Sequence, residues 1–470
     1  ITVILNNIFN SGNFPEEWAL GVIVILFKDG TKSNLDNYRG ITLLSMLGKI
    51  LIGVLNNRLW EVVNKFEFLK ENQAGFRQGY RTTDHLFTLT TVIDHYVNKN
   101  KRPLFLCFVD FKKAFDKVDH GLLWKKLNNY GAGGKFLKII KSMYQQVKSC
   151  VRSKTGLTNV FQYTRGVRQG CLLSPLLFSL YLNDLVDCLE NEGAEGVELW
   201  DIRLCAMLYA DDLILLAENE HDLKLQMNSL GNYANKWNME INPDKSKVMI
   251  FNDPKKRKEK DMFYSINSHN IYITNSYKYL GIILNTKHSY KAHVDMIVEK
   301  ANKCLYSLIT KNREWNGFDP SLLLYLFDHL IIPVLNYGCE IWGNYSWVEI
   351  EKIHLFICKY ALNVKTSTPS DGVYSELGRH PLLINRQIQM VKYANRIRNL
   401  HDHTLVKKAL NIQILDDIKG HFNWVSNVIS IMKDNNINEL QSKREISTSI
   451  KENYKSVLLK RIQSCGEGKN

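Results

Sequence analysis

Two apolar runs in this sequence end in acids. One is Phe108-Val109-Asp110-Phe111-Lys112-Lys113-Ala114-Phe115-Asp116, and the other is Tyr209-Ala210-Asp211-Asp212, inside Met207 to Leu216. Neighbouring carboxylates repel unless a proton or a cation neutralises them. A hard dication such as Mg2+ takes one or two carboxylates and completes its shell with substrate phosphates. Two such ions roughly 3.5–4 Å apart activate an attacking hydroxyl and stabilise a leaving oxygen. These residue types can therefore support metal-assisted phosphoryl transfer. The plain alternative is a polar hairpin tip beside a strand-ending aspartate.

Strands must position those acids. Leu104 to Asp110 is short, nearly all apolar and entered through Pro103. A period of two puts Leu106, Phe108 and Asp110 on one face, with the carboxylate at the strand's edge. Leu204 to Tyr209 and Leu213 to Ala217 read as a tight hairpin with Asp211 and Asp212 at its tip, a place Asp tolerates. Ala19 to Phe27, Lys247 to Phe251 and Tyr277 to Leu284 read as further strands. Helical spacing is expected over Ser45 to Val63, Thr82 to Val97, Lys112 to Tyr130, Lys135 to Val147 and Leu223 to Trp237. Gly166 to Leu173 is a glycine-marked loop. Ser174-Pro175 follows as N-cap and first position of a helix over Leu176 to Glu190. From about residue 290 the pattern is mostly helical, with breaks near Asn316-Gly317, Gly343, Thr368-Pro369 and Pro381.

The bulk composition narrows the partners. The 470 residues suffice for two to four domain-sized units. At 45% hydrophobic and 11% aromatic, the chain can bury a core. A formal net charge of +14 favours a polyanion, nucleic acid before membrane. Nine cysteines without a CxxC pair read as packed, reduced thiols, hence an intracellular chain. Cys339, His354 and Cys358 lack the paired spacings of a zinc site. No run reaches the roughly 18 apolar residues of a membrane helix, and no signal peptide is visible. Lys255-Lys256-Arg257-Lys258 reads as a solvated loop, with a nuclear-entry patch or a phosphate contact as the alternative.

Taken together, the acids and their surroundings resemble the reverse transcriptases of non-LTR (LINE-type) retrotransposons. The first acidic run is similar to motif A, FxDxxxAFD, and Tyr209 to Asp212 to motif C, YADD. Between them Arg165 to Phe178, RGVRQGCLLSPLLF, resembles motif B of the non-LTR and group II intron branch. Tyr38-Arg39-Gly40-Ile41-Thr42-Leu43-Leu44 and Asn72-Gln73-Ala74-Gly75-Phe76-Arg77 resemble fingers segments. Trp237, Ile241-Asn242, Lys245 and Lys247 match motif D, and Tyr279-Leu280-Gly281 matches motif E. The likeness runs through roughly residues 15–345.

The resemblance implies roles, residue by residue. Asp110, Asp211 and Asp212 match the catalytic triad. Asp110, Asp211 and the main-chain carbonyl of Phe111 would hold two Mg2+ ions, with Mn2+ as an alternative. Asp116 is read as structural. Phe115 matches the aromatic under the incoming sugar that leaves no room for a 2′-hydroxyl, which implies a DNA product. Lys28 and Arg39 match triphosphate contacts. Gln169 and Gly170 match nucleotide contacts, and Gly166 and Gly170 would let backbone approach template and nucleotide. Lys245 would protonate pyrophosphate, with Lys247 as competitor. Arg77, Arg81, Arg165 and Arg168 would line a basic channel for the template–primer duplex.

The expected fold is α+β: a right-hand polymerase with an antiparallel palm sheet and a mostly helical C-terminal region. Its expected parts are truncated fingers (1–103), a palm with motifs A to E (104–284), a thumb (285–345) and a helical remainder (346–470). Expected partners are an RNA template, a DNA primer and dNTPs, with no membrane. Ile1 opens the chain mid-pattern, so the sequence reads as a fragment whose endonuclease is missing or separate. Target-primed synthesis would place it in the nucleus, with the cytoplasm as alternative. Thr366 to Leu382 resembles a segment downstream of polymerase domains in such elements. An inactive nucleic-acid-binding relic and a group II intron maturase are the competing readings; Phe115 disfavours an RNA-dependent RNA polymerase.

Overall fold

The computed structural model describes residues 1–28, 30–257, 262–437 and 442–467. At its centre lies an antiparallel sheet in the order Lys247–Phe251, Leu104–Val109, Asp212–Ala217, Ala206–Tyr209. Leu104–Val109 is buried along its whole length. Its side chains alternate between two cores, as the pleat requires. Phe105, Cys107 and Val109 pack with residues of the helices Met46–Lys65, His120–Asn129, Ser174–Leu182 and Glu220–Lys236. Leu104, Leu106 and Phe108 pack with Thr82–Ile93, Lys291–Glu314 and helices beyond residue 346. Each fully buried side chain here contributes about 1.5–3 kcal/mol. Truncation at the centre, Leu106→Ala, would cost about 2–5 kcal/mol.

A second sheet is built on Leu20–Phe27. Tyr38–Leu44 pairs antiparallel with one edge and Lys148–Ser153 parallel with the other. Short strands Gly156–Leu157 and Phe161–Gln162 pair with Lys148–Ser153. The segment after Lys70 extends the central sheet at its edge. Leu208 donates its N–H to the Asn72 carbonyl (2.7 Å), and Ala74 donates to the Leu208 carbonyl (2.9 Å). This edge is therefore covered by a backbone partner rather than left open.

The region after residue 346 is not a loose tail. Helix Leu405–Ile418 lies against Thr82–Ile93, and Leu382–Arg398 joins it there through an ion pair. Arg396 grips Asp84 with two 2.6 Å hydrogen bonds, and the Tyr393 hydroxyl donates to the same carboxylate at 3.0 Å. No described helix is long and apolar enough to cross a membrane.

Several sequence expectations need correction. Tyr277 to Leu284 is a hairpin, Ser276–Tyr279 with Ile282–Asn285, because Leu280 and Gly281 turn through φ of 42° and 86°. Helix Thr82–Ile93 gives way to a π-helical turn over Asp94–Lys99. The helix expected over Lys112 to Tyr130 breaks at Val118, since Asp119 caps His120–Asn129 by accepting from the Leu122 N–H. Ser174 does not cap; Leu173 holds that position, and the Ser174 hydroxyl lies 3.4 Å from that of Tyr144. The helix it opens stops at Leu182 and resumes as Leu185–Asn191. Two further hairpins went unread: Val197–Leu199 with Ile202–Leu204, and Phe263–Ile266 with His269–Tyr272.

Candidate active site

The sheet register brings the acids together. Leu213 pairs with Val109, so Asp110 follows one member of the last pair and Asp211 and Asp212 precede the other, at the same end of the two strands and close enough for their charges to act on one another. Asp110 is held from three sides by the 242–246 turn. Its N–H donates to the Ser246 hydroxyl (3.1 Å), its carbonyl accepts from the Asn242 N–H (2.8 Å), and its carboxylate accepts from the Asn242 amide (3.1 Å). Asp211 is raised above the usual carboxylate range by withdrawal from water and by the Asp110 charge; Arg39 and Lys28 oppose the shift. Asp212 is pushed up to about 6, again by withdrawal from water and then by Asp211 and Asp110. Like charges raised by one another are what a bound dication would relieve.

The acid turn is clamped from behind. Gln73 is 2% exposed. Its side-chain carbonyl accepts from the N–H groups of Ala210 and Gly75, both at 2.9 Å, and its amide donates to the Ala210 carbonyl at 3.2 Å. Ala210 itself holds φ at +60°, a left-handed conformation that costs a non-glycine residue about 1 kcal/mol or more. Gly75 approaches so closely that a Cβ there would sit 2.1 Å from the Ala210 nitrogen. Nothing in sequence reading singled out Gln73; only its place in the QxGFR-like segment signalled it.

Phe115 stacks on the buried Phe178, centroids 4.4 Å apart with planes at 14°, and meets Phe76 edge-on at 5.9 Å. Phe178 fixes the ring from one side, and Val167 fixes the Phe115 backbone by donating to its carbonyl (2.7 Å). Gln169 donates to the Asp116 carboxylate at 3.2 Å. Withdrawal from water raises Asp116, while Gln169, Lys113, Lys28 and Arg39 draw it down. The exposed Lys28 and Arg39 therefore reach this cluster from the second sheet, across the gap to the acids. Lys247 spends its ammonium on the carbonyl of Asp244 (2.6 Å), whereas Lys245 is exposed.

Other expectations change here. Arg168 is 2% exposed and donates to the Ala19 carbonyl at 2.7 Å. It ties the motif B loop to the end of the short helix Glu16–Ala19 that leads into the second sheet, and is not a surface contact for a duplex. Arg77 is held by the Lys70 and Gln73 carbonyls and by Glu71, and packs 4.1 Å from the Tyr80 ring centroid. Arg81 and Arg165 are exposed. Gly170 (φ +109°) is needed because a Cβ would lie 2.6 Å from the Thr42 carbonyl; Gly166 (φ +88°) because one would lie 2.7 Å from the Asp116 carbonyl. What these glycines approach is the chain's own backbone. In the basic loop, Lys255 and Arg257 pair with Glu220, and Arg257 also with Asp253, so neither stands as an open patch; Lys258 lies outside the described residues. His354 accepts from Arg379 Nε at 3.2 Å, which leaves no basis for pairing it with Cys339 and Cys358.

No group of three or more His, Cys, Asp or Glu able to hold a metal occurs among the described residues. What the strand end and the turn do offer is carboxylate oxygen, from Asp110, Asp211 and Asp212, where the charge of Asp110 acts on the other two. That set fits Mg2+, which binds through one or two carboxylates and fills its octahedron with water and substrate phosphate. The set does not fit a metal caged wholly by protein.

The profile of the reverse transcriptase (RNA-dependent DNA polymerase) family matches residues 28–284, more than half of the chain, and the chain belongs to that family. Its relatives are polymerases of non-LTR elements. The RNA-directed DNA polymerase from mobile element jockey of Drosophila melanogaster is 25% identical over 85% of this chain and 42% of its own length. The probable RNA-directed DNA polymerase from transposon BS of the same organism is 24% identical over 89% of this chain and 46% of its own. The chain thus spans less than half the length of these relatives. Among solved structures, apo telomerase from Candida tropicalis superposes with a TM-score of 0.46 at 13% identity, covering 96% of this chain and 73% of that one.

Proposed function

We propose that the chain copies RNA into DNA by adding dNTPs to a primer 3′-OH. One observation carries the reading: Asp110 and the Asp211-Asp212 turn meet at one end of the paired strands, with Lys28, Arg39 and the Phe115 ring arranged around them. In this reading the second sheet is the fingers, the central sheet the palm, and Lys291–Glu314 with Pro320–Leu330 the thumb. Asp110, Asp211 and the Phe111 carbonyl would hold two Mg2+ ions, which would supply charge to activate the primer hydroxyl and neutralise the leaving pyrophosphate.

The protein's own residues do the rest. Asn242 and Ser246 hold Asp110 against rotation. Gln73 fixes the turn that presents Asp211. Lys28 and Arg39 take the triphosphate, Arg bidentately and Lys as a point charge. Gln169 and Gly170 border the nucleotide, and the Phe115 ring excludes a 2′-hydroxyl. The exposed Lys245 supplies a proton to pyrophosphate. Arg81 and Arg165 contact duplex phosphates. The RNA template and the DNA primer follow from the same reading, as do action in the nucleus, with the cytoplasm as alternative, and an endonuclease that is separate or encoded outside this sequence.

The test is primer extension on poly(rA)/oligo(dT) with Mg2+ and labelled dTTP or rUTP. The reading expects dTTP incorporation and exclusion of rUTP, with Phe115→Ala admitting rUTP. Tight binding of the template–primer without any incorporation would overturn it and leave a nucleic-acid-binding protein that does not copy.

A further inference from the structure

The hairpin Ser276–Tyr279 with Ile282–Asn285 packs against the strand that ends at the acids. The Tyr277 ring stacks on Phe108, just before Asp110 in sequence, with centroids 4.3 Å apart and planes at 19°. The Tyr279 ring lies 5.5 Å from the same Phe108. Burial raises both phenols; charge on Asp110 and Asp212 adds to this for Tyr277, and charge on Asp212 for Tyr279. The Tyr279 hydroxyl lies 2.9 Å from Nε2 of the buried His85, whose ring meets Tyr209 edge-on at 5.9 Å. Tyr209 leads directly into Ala210 and Asp211. The hairpin thus reaches both sides of the acid cluster, one through Phe108 and the other through His85.

The turn of this hairpin needs an outside hold. Leu280 keeps φ at +42°, and a non-glycine residue stays in the left-handed region only where its surroundings over-determine it. Tyr337 supplies the hold by donating its hydroxyl to the Leu280 carbonyl at 2.9 Å. The two segments also approach each other through glycines. A Cβ on Gly281 would lie 2.6 Å from the Tyr337 ring, and one on Gly338 would lie 2.7 Å from the Ile282 side chain. Tyr337 is itself anchored: its carbonyl accepts from Nε1 of the fully buried Trp342 at 3.1 Å. Its side of the contact is not core packing, because Tyr337 is 41% exposed.

We propose that Tyr337, which lies outside the 28–284 span matched by the family, is a positioning residue for nucleotide addition. It pins the Leu280-Gly281 turn, and the pinned hairpin holds Asp110 and the Asp211-Asp212 turn in place from beneath. The inference rests on the polymerase reading. Without the hydroxyl, the Leu280 carbonyl loses its partner and the turn relaxes. Tyr277 and Tyr279 then shift under Phe108 and His85, and the acids shift with them. A displacement of about 1 Å at a reacting centre costs up to about 10²-fold in rate.

The experiment is single-turnover dTTP incorporation by the full chain on poly(rA)/oligo(dT) with Mg2+, for wild type, Tyr337→Phe and Tyr337→Ala. Amplitude and rate are read separately. Amplitude counts the folded molecules that hold template–primer; the rate reports the geometry of the acids. Tyr337→Phe keeps the ring and loses only the hydroxyl, and its rate should fall about tenfold; that of Tyr337→Ala should fall about 10²-fold. The dTTP concentration for half-maximal rate and the affinity for template–primer should stay as in wild type. A variant that folds poorly loses amplitude, while the molecules that do fold still report the rate. Wild-type rates in both variants, at full or reduced amplitude, would make Tyr337 a merely structural residue and overturn the inference. So would a raised dTTP requirement with the saturated rate kept. No incorporation by wild type would instead overturn the polymerase reading, and this inference with it.

Discussion

Gln73 is the residue on which the acid turn depends most. Replacing it by leucine leaves the Ala210 and Gly75 N–H groups buried and unmet, at a cost of about 1–3 kcal/mol. Urea unfolding of Gln73→Leu should show that loss, and extension rates should fall about 10²-fold as the turn drifts. Asp212 makes a second prediction, about pH. Its folded pKa of about 6 lies above the ordinary 3.8, so between those values the folded state holds more protons than the unfolded. Stability of the metal-free protein should accordingly rise as pH falls from 7 through that window. Asp212→Asn should be more stable than wild type at pH 7 in EDTA and should lose this pH dependence; thermal melts at pH 7 and 5 check both. The acids were legible because adjacent carboxylates in an apolar run are hard to explain otherwise. Gln73 and Arg168 were not. A glutamine in a loop carries no pattern, and whether an arginine faces solvent or a backbone carbonyl is settled by tertiary packing.

At the scale of elements, long periodic helices and the apolar strands of the central sheet were readable from spacing alone. Lys247–Phe251 has the bounds its sequence suggests. Short hairpins such as Val197–Leu199 with Ile202–Leu204 were not, because three-residue strands give too few alternations to register a period of two. The packing of Leu382–Arg398 and Leu405–Ile418 onto Thr82–Ile93 was also hidden, since it joins residues some 300 positions apart in sequence (Asp84 and Arg396 among them). That junction is testable. Asp84→Asn leaves the Arg396 guanidinium without its anion and the Tyr393 hydroxyl with a poorer acceptor. Urea unfolding should register a loss of about 3 kcal/mol, and protease should cut within the C-terminal helices sooner than in wild type.

Over the whole molecule, the net charge of +14 and the exposed Lys28, Arg39, Arg81 and Arg165 imply binding dominated by phosphate contacts. Affinity for a template–primer should drop at least about tenfold between 50 and 200 mM salt, and Arg165→Ala should lower the slope by about one. Two cores, one on each face of the central sheet, hold it between helices, so the acids stand at the end of buried strands. The central claim is that Asp110 and Asp211 jointly carry the metal-dependent step. The direct measurement is single-turnover dTTP incorporation on poly(rA)/oligo(dT) across a Mg2+ titration, for wild type and Asp211→Asn. The account predicts a loss of at least about 10²–10³-fold that no Mg2+ concentration restores, with template–primer affinity kept. Wild-type rates in Asp211→Asn would contradict it.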